Sequence, residues 1–308
     1  MRIHRNEMLN TVRSLDLKLL KVFVAVVENG GFSAAQASLN VGQSTISGYM
    51  RDLELRLGMR LCNRGISGFA LTEDGKAVYN ISKELFRSIG EASTKLRSQS
   101  GIFSGELRIA IADALYGNPD FKLVHVVKDL HAISKEITIT LSAANPLQLE
   151  QGILSNAYHI GIHTFPSHVP GIAYQMLFEE EQVLCCGRGH ELFGRCDVTP
   201  SEIQPCGFVR RSYYGGSLNT GKFKPNIVTA TTDNIEATAI LISSGLYLGH
   251  LPQHWVQRWI AEGALWEIKH PDLCYVSTFE VASKVSEQGS KLIATSLEVI
   301  NKHMCAIQ

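Results

Sequence analysis

Residues 23–64 read FVAVVENGGFSAAQASLNVGQSTISGYMRDLELRLGMRLCNR, and three changes of pattern inside this stretch set the reading of the chain. A helix beginning near Leu15 carries Leu17, Leu20, Val24 and Val27 at helical spacing and is stopped by Gly30 and Gly31. Ser33 is placed to cap a short alanine-rich helix through Leu39, because its hydroxyl can accept an unpaired N–H of the first turn. Asn40, Val41 and Gly42 make a tight turn, and a third helix runs from Gln43 to about Leu57. On that helix Ile46, Met50, Leu53 and Leu57 share one face, leaving Gln43, Ser44, Ser47, Gly48 and Arg51 on the other.

A short, polar, basic face suits a helix lying in the major groove, where small donors reach base edges and arginine anchors a phosphate. A merely solvated helix would carry the same letters, so the sequence that follows has to decide. After Gly58, residues 61–64 read as a strand, 65–68 as a turn and 69–71 as a returning strand. That is a β-wing behind a helix-turn-helix, with Arg64 placed to reach a phosphate or the minor groove. Thr72 then caps a helix of about 25 residues, with Glu73 and Asp74 in its first turn. Its seam of Val78, Ile81, Leu85, Ile89, Ala92 and Leu96 calls for a partner, either a second copy or the body of the same chain, and dimerisation is the economical choice.

Bulk properties bound the function class. With 308 residues, 45% apolar and 19% charged, the chain can build two or three cores. Its longest apolar stretches, such as 22–27 and 237–243, fall far short of the roughly 18 to 20 residues of a membrane span. The first 14 residues hold Arg2, Arg5 and Arg13 without the apolar centre of a secretory signal, so a cytoplasmic location is expected. Zero net charge hides an asymmetry, since residues 1–100 contain 14 Lys or Arg against 9 Asp or Glu. A basic head on an acidic body fits a polyanion-binding module joined to a partner domain. Seven cysteines, at 62, 185, 186, 196, 206, 274 and 305, show no CxxC pair, which predicts reduced structural thiols and no metal site. The pair Cys185 and Cys186, with His190 nearby, is read as an apolar strand running into a turn.

Residues 98–104 form a Ser/Gly-rich linker, after which short apolar strands alternate with helical stretches. LRIAIA, a helix at 120–133, ITITLSA, a helix at 146–156 and HIGIHT give βαβαβ and a parallel sheet. VLCCG, a helical turn at 201–204, CGFVRR, IVTAT, a helix at 233–244 and LYLGHLP resume the alternation, so two α/β lobes fit the length. GGSLNTGKF at 215–223 nearly matches a phosphate-binding P-loop, but Phe223 takes the magnesium-ligand position and Pro225 forbids the helix that must follow. A mobile loop is expected there. With no nucleophile elbow, zinc-protease motif or paired carboxylates in strand context, the chain is not read as an enzyme, and no cofactor is expected.

The stretch 23–64, followed by LTEDGKAVY at 71–79, resembles the LysR-type transcriptional regulators, with helix, turn, recognition helix, wing and linker in the family's order. GELRIAIA at 105–112 and GLYLGHLPQHWVQRWIAEGALWEI at 245–268 extend the likeness to nearly the whole chain. The resemblance implies an α/β fold of three parts: a winged helix-turn-helix over 1–73, a linker and dimerisation helix over 74–100, and a two-lobed effector domain over 105–308 resembling periplasmic binding proteins. Lobe I is expected at 105–178 plus 281–308 and lobe II at 179–280. Gln43, Ser44, Ser47 and Arg51 are then expected to face DNA with Arg64 on the wing, and Ser33 and Thr45 are counted with them. The sequence departs from the family's usual residues at Ser44 in place of Pro, Gly48 in place of Arg and Gln36 in place of Ala, so base preference does not transfer.

A small effector between the lobes is implied, and the carboxyl ends of parallel strands are where open α/β sheets bind ligands on physical grounds. The candidates are Asp113, Leu115 and Tyr116 after the first strand, Asn145 after the second, His163 and Thr164 after the third, then Thr231, Thr232 and His250. Asp113 would repel an anion unless a cation such as His163 sits nearby, which leaves neutral, amine-bearing and aromatic effectors open. The expected partners are an inverted-repeat promoter site in double-stranded DNA, that effector, RNA polymerase, and further copies of the chain as a homodimer or homotetramer.

Overall fold

A computed structural model of the chain describes residues 14–65, 68–98, 104–214 and 224–304. The P-loop-like 215–223, part of the wing turn, part of the linker and the arginine-bearing N-terminus lie outside the described residues. Contacts divide the chain into two units, Met1–Ser93 and Thr94–Gln308.

In the first unit, α1 (Ser14–Glu28), α2 (Ala35–Leu39) and α3 (Gln43–Leu57) precede the strands β1 (Cys62–Gly65) and β2 (Gly68–Leu71), with α4 (Glu73–Ser98) following. The strands pair antiparallel, Cys62 opposite Leu71 and Arg64 opposite Phe69. The core is Leu19, Val22, Phe23 and Val26 from α1, Ala35 from α2, Ile46, Met50 and Leu53 from α3, and Leu61 and Cys62. The stripe of α1 chosen from sequence, Leu17 to Val27, is only half-buried and lies beside the true one. Because 17–27 is apolar nearly all round, its periodicity has two solutions, and only packing selects between them. Leu57 shares the face of Met50 but is 38% exposed, being the last residue of its helix.

Two end signals behave differently. The Thr72 hydroxyl accepts the Gly75 N–H at 2.9 Å and donates to the Arg60 carbonyl at 2.6 Å, capping α4 as expected. Ser33 caps nothing: the residue before α2 is Ala34, itself helical, and no side-chain cap bond is made. Gly75 is required because α4 starts against the backbone of Leu61, and a Cβ there would overlap the Leu61 carbonyl.

The second unit holds one mixed sheet in the order β10-β6-β11-β5-β3-β4, with β9 also on β6. Its strands are β3 (Gly105–Ile111), β4 (Ile137–Ala143), β5 (Ile160–His163), β6 (Ile172–Gly187), β9 (Gly249–Pro252), β10 (Leu265–Glu267) and β11 (Tyr275–Lys284). A separate parallel pair, β7 (Phe208–Arg211) and β8 (Val228–Thr232), bridges β9's edge through Phe208 and Leu248. The helices are α5 (Leu123–Ile133), α6 (Pro146–Leu154), α7 (Pro200–Ile203), α8 (Ile235–Ser243), α9 (Gln253–Ala261) and α10 (Lys291–Met304). The βαβαβ reading holds, since β3 pairs parallel with both β4 and β5. Where the alternation resumes, β7 and β8 pair parallel, whereas β9, β10 and β11 each pair antiparallel with β6, which the alternation did not indicate.

The 16-residue β6 and the 10-residue β11 pair along their length with a register shift between Phe279 and Glu280, and β6 supplies Leu177 and Phe178 to the core of this unit's first half and Val183 to Cys186 to the cores of its second. VLCCG is only the tail of β6; the polar run before it hid the rest of the strand. The first half packs Leu107, Ile109, Val126, Leu130, Ile160 and Ile300 on one sheet face and Leu149, Ile153 and Ala282 on the other. The second half does likewise, with Leu184, Cys186, Phe208 and Leu248 opposed to Val183, Cys185, Ile235 and Val256. Adjacent Cys185 and Cys186 therefore enter different cores, as the two-residue period of a strand requires, and cannot hold one ion together. Burial pushes both thiols up, Cys186 to about 12, so neither is a ready nucleophile.

Candidate functional site

The polar face of α3 begins at a helix N-terminus that is tied down from behind. Gly42 offers no capping side chain, and the Gln43 N–H is instead accepted at 3.2 Å by Gln36 Oε1, whose amide donates to the Ser33 carbonyl at 3.2 Å. The Gln36 departure thus supplies the bond that joins α2 to the start of α3. At the other end, Glu54 accepts the Leu61 N–H at 2.8 Å and fixes where the wing leaves the helix. Gln43, Ser44, Thr45, Gly48 and Arg51 are exposed on the helix so held, and Ser47 is half-exposed. Ser33 is exposed at the α2 end. Arg64 lies in β1, and its side chain is outside the described residues. Around Gly48 an added Cβ would meet nothing within 4 Å, so no packing in the protein demands a glycine there.

In the second unit, Asp113, Ala144, Asn145, Gln148, Asp233 and Asn234 line a cavity of about 150 Å³ at the carboxyl ends of β3, β4 and β8. Its rim is made of helix starts. Asn145 accepts the Gln148 N–H at 2.9 Å and Gln148 reciprocates at 3.3 Å, a capping box on α6. Asn234 accepts the Ala237 N–H at 2.8 Å and caps α8. The Asp113 carboxylate accepts the N–H of Ile235, the first residue of α8, from across 122 positions of sequence. A carboxylate there matches the positive end of the helix dipole.

The other sequence candidates are dispersed. Leu115 lies in the hydrophobic core and Tyr116 is 90% exposed. Thr231 points to solvent, while buried Thr232 shares a 2.7 Å bond with Thr238 inside the second half. His163 is buried, stacks on Phe279, meets Tyr213 edge-on, and takes the Thr164 N–H on Nδ1 at 2.7 Å. Burial, helped by the Arg211 charge, pushes His163 down to about 3, so it is a neutral ring and not the cation that would offset Asp113. His250 is held at about 4, first by burial; its Nε2 lies 2.7 Å from the Leu273 carbonyl, and Nδ1 has no partner among the described residues.

Sequence reasoning passed over a second polar group nearby. Glu180 is buried on β6 and accepts from Asn118 at 2.9 Å and from Gln182 at 2.7 Å. His254 of α9 stands 3.3 Å from the same carboxylate, and Arg211 reaches Gln182 at 3.5 Å and Tyr213 at 3.4 Å. Burial pushes the Glu180 carboxyl up, against the pull of Asn118, His254 and Arg211. The signal was present in period two: of the run Glu179, Glu180, Glu181 on one strand, only the middle residue turns inward.

A three-helix winged unit with an exposed polar helix face, joined through a 26-residue helix to a two-halved α/β unit with a cavity at its strand ends, defines a DNA-binding regulator with a sensory domain. Comparison with known proteins agrees. The lysR-family bacterial regulatory helix-turn-helix protein family matches residues 17–76, and the LysR substrate binding domain family matches residues 100–305. The HTH-type transcriptional activator BauR of Pseudomonas aeruginosa is 31% identical over 298 residues, 96% of this chain and 98% of its own. Among solved structures, CbnR, a LysR family transcriptional regulator, superposes with a TM-score of 0.66 at 18% identity, covering 94% of this chain and 99% of that one. A probable transcriptional regulator from Pseudomonas aeruginosa gives 0.66 at 16%, covering 97% and 100%.

The chain belongs to the LysR family of transcriptional regulators: it binds DNA through its N-terminal unit and carries a small-molecule effector domain behind it. No helix among the described residues is long and apolar enough to cross a membrane.

Proposed function

We propose that the chain recognises one operator sequence through the exposed start of α3 and is switched by a small molecule held at the strand ends of its second unit. The observation that carries the first half is the placement of Gln43, Ser44 and Thr45 in solvent on a helix whose opposite face, Ile46, Met50 and Leu53, is buried. Ser47 and Arg51 continue this surface, Ser33 flanks it, and Arg64 acts from the wing. The cavity beside Asp113 and Asn145 supports the second half. His163, Thr164, Thr232 and His250, being buried, would shape such a site from behind, whereas Leu115, Tyr116 and Thr231 would contribute little contact.

The α4 seam leaves Ile81 63% and Ile89 41% exposed within one chain, which supports pairing of two copies through this helix and a homodimer or homotetramer on an inverted repeat. The lobes are drawn at 105–178 with 281–308, and at 179–280, which is supported by Phe178 and Val281 packing in one core and Val183 in another. We infer a cytoplasmic sensor that acts on RNA polymerase rather than an enzyme, with activation as the sign suggested by BauR's own name. The test is operator selection from random duplexes with the full chain, followed by binding of the Ser47→Glu variant. Retained selective binding by that variant removes α3 from the interface.

A further inference from the structure

Residues 113–118 leave the end of β3 and touch both halves of the second unit in alternation. Asp113 accepts the Ile235 N–H on α8. Ala114 packs against the core that contains Val183, Ile235 and Val256, and its carbonyl lies 3.0 Å from His254 Nε2 on α9. Leu115, the next residue, is buried in the opposite core with Leu107, Val126 and Ile162. Asn118 then donates to Glu180 on β6, the strand the halves share. Consecutive side chains enter different cores because Ala114 is left-handed, with φ of 57°, a conformation an alanine holds only when its surroundings impose it.

His254 joins the two ends of this segment. Its Nε2 faces a carbonyl, which can only accept, so that nitrogen carries a proton. Its Nδ1 faces Glu180 at 3.3 Å, and that contact needs one further proton, held by the ring or by the carboxyl. A closed path therefore runs from the Ala114 carbonyl through His254 and Glu180 to Asn118, with the Asp113 bond to α8 beside it.

We propose that 113–118 is a strap that holds the two halves of the effector domain together, with Asp113 on α8 as one fastening and Asn118–Glu180–His254 as the other. Releasing either fastening loosens both, because the chain between them has a single conformation set from both sides. Asp113 is then a structural closure residue before it is a ligand contact.

Hydrogen exchange on the full chain, followed by mass spectrometry without DNA or added small molecules, tests this independently of where an effector binds. In Asp113→Ala, exchange should rise about tenfold at 235–238 and equally at 113–118 and 250–256, the far end that Asp113 does not touch. In Glu180→Gln the same three segments should respond, including 235–238. Asp233→Ala, which alters a cavity residue bonded to its own neighbour Asn234, should leave all three unchanged. Protection at 107–111 and 160–163 reports that the sheet is intact; if Asp113→Ala loses it, Asp113→Asn, which keeps an oxygen acceptor without the charge, is read for a smaller rise of the same pattern. A rise confined to 235–238 in the Asp113 variants, or absent there in Glu180→Gln, overturns the strap.

Discussion

The two units use polar side chains in opposite ways. On α3 the residues assigned to DNA stand in solvent with their backs to a packed core, whereas in the effector domain Asp113, Asn145, Asn234, Glu180, His163 and His250 are each bonded within the fold. A surface that must meet a long rigid polyanion can be left open. The groups around the proposed effector cavity already hold helix ends and strands in place, so under the proposal made above a ligand that contacts them would act on closure at the same time.

Acid should separate the units most strongly. Residues 14–98 contain no histidine, whereas His163 and His250 sit in the effector domain at about 3 and about 4. Both values lie below the ordinary 6.5, so the unfolded chain binds protons that the folded one refuses. Their stabilisation is present above pH 6.5 and is lost as pH falls towards 4. Between pH 6.5 and 4.5 the pair should withdraw on the order of 4 kcal/mol from the effector domain, the slope for each ring starting near half of its limit at pH 6.5 and approaching about 1.4 kcal/mol per pH unit below it. Denaturant melts followed at each unit check this, and His250→Gln should halve the histidine share of the slope. An effector domain as indifferent to pH as the DNA-binding unit would mean that the rings are not buried neutral.

Next in size is Ser47→Glu, which puts a carboxylate at the groove face. Specific DNA affinity should fall about a hundredfold or more with the thermal midpoint of the N-terminal unit unchanged, because the side chain is not part of the core. Smaller again, Arg64→Ala should flatten the dependence of log affinity on log salt by about one unit for specific and non-specific duplexes alike. An unchanged slope removes Arg64 from the phosphate contacts. The smallest effect is expected of Gly48→Ala, which should stabilise the N-terminal unit by about 1 kcal/mol, since nothing crowds the new methyl. If operator affinity falls while stability rises, the glycine is there for close approach of DNA.

Much of the first unit was legible because its signals are local. The Thr72 cap, the αL residues Asn40 and Gly58, and the spacing of Ile46, Met50 and Leu53 each act within a few residues. Where local signals were degenerate the reading slipped, as with the stripe of α1 and the Ser33 cap. In the second unit the βαβαβ order was equally plain, but the antiparallel return of β11 onto β6 pairs residues about 100 positions apart, and alternation cannot reveal a partner at that distance.

By itself, then, the sequence determined that this chain has a winged helix-turn-helix, a long seamed helix and a two-lobed α/β domain, because period, caps and turns are properties of short segments. Only the tertiary structure decided that Asp113 belongs to the start of α8, which phase of the strand period on β6 turns inward at Glu180, and which core receives Cys185 and which Cys186. Each of those outcomes depends on which remote backbone or core is brought alongside, and burial makes that choice by what it costs a polar group to be left without a partner.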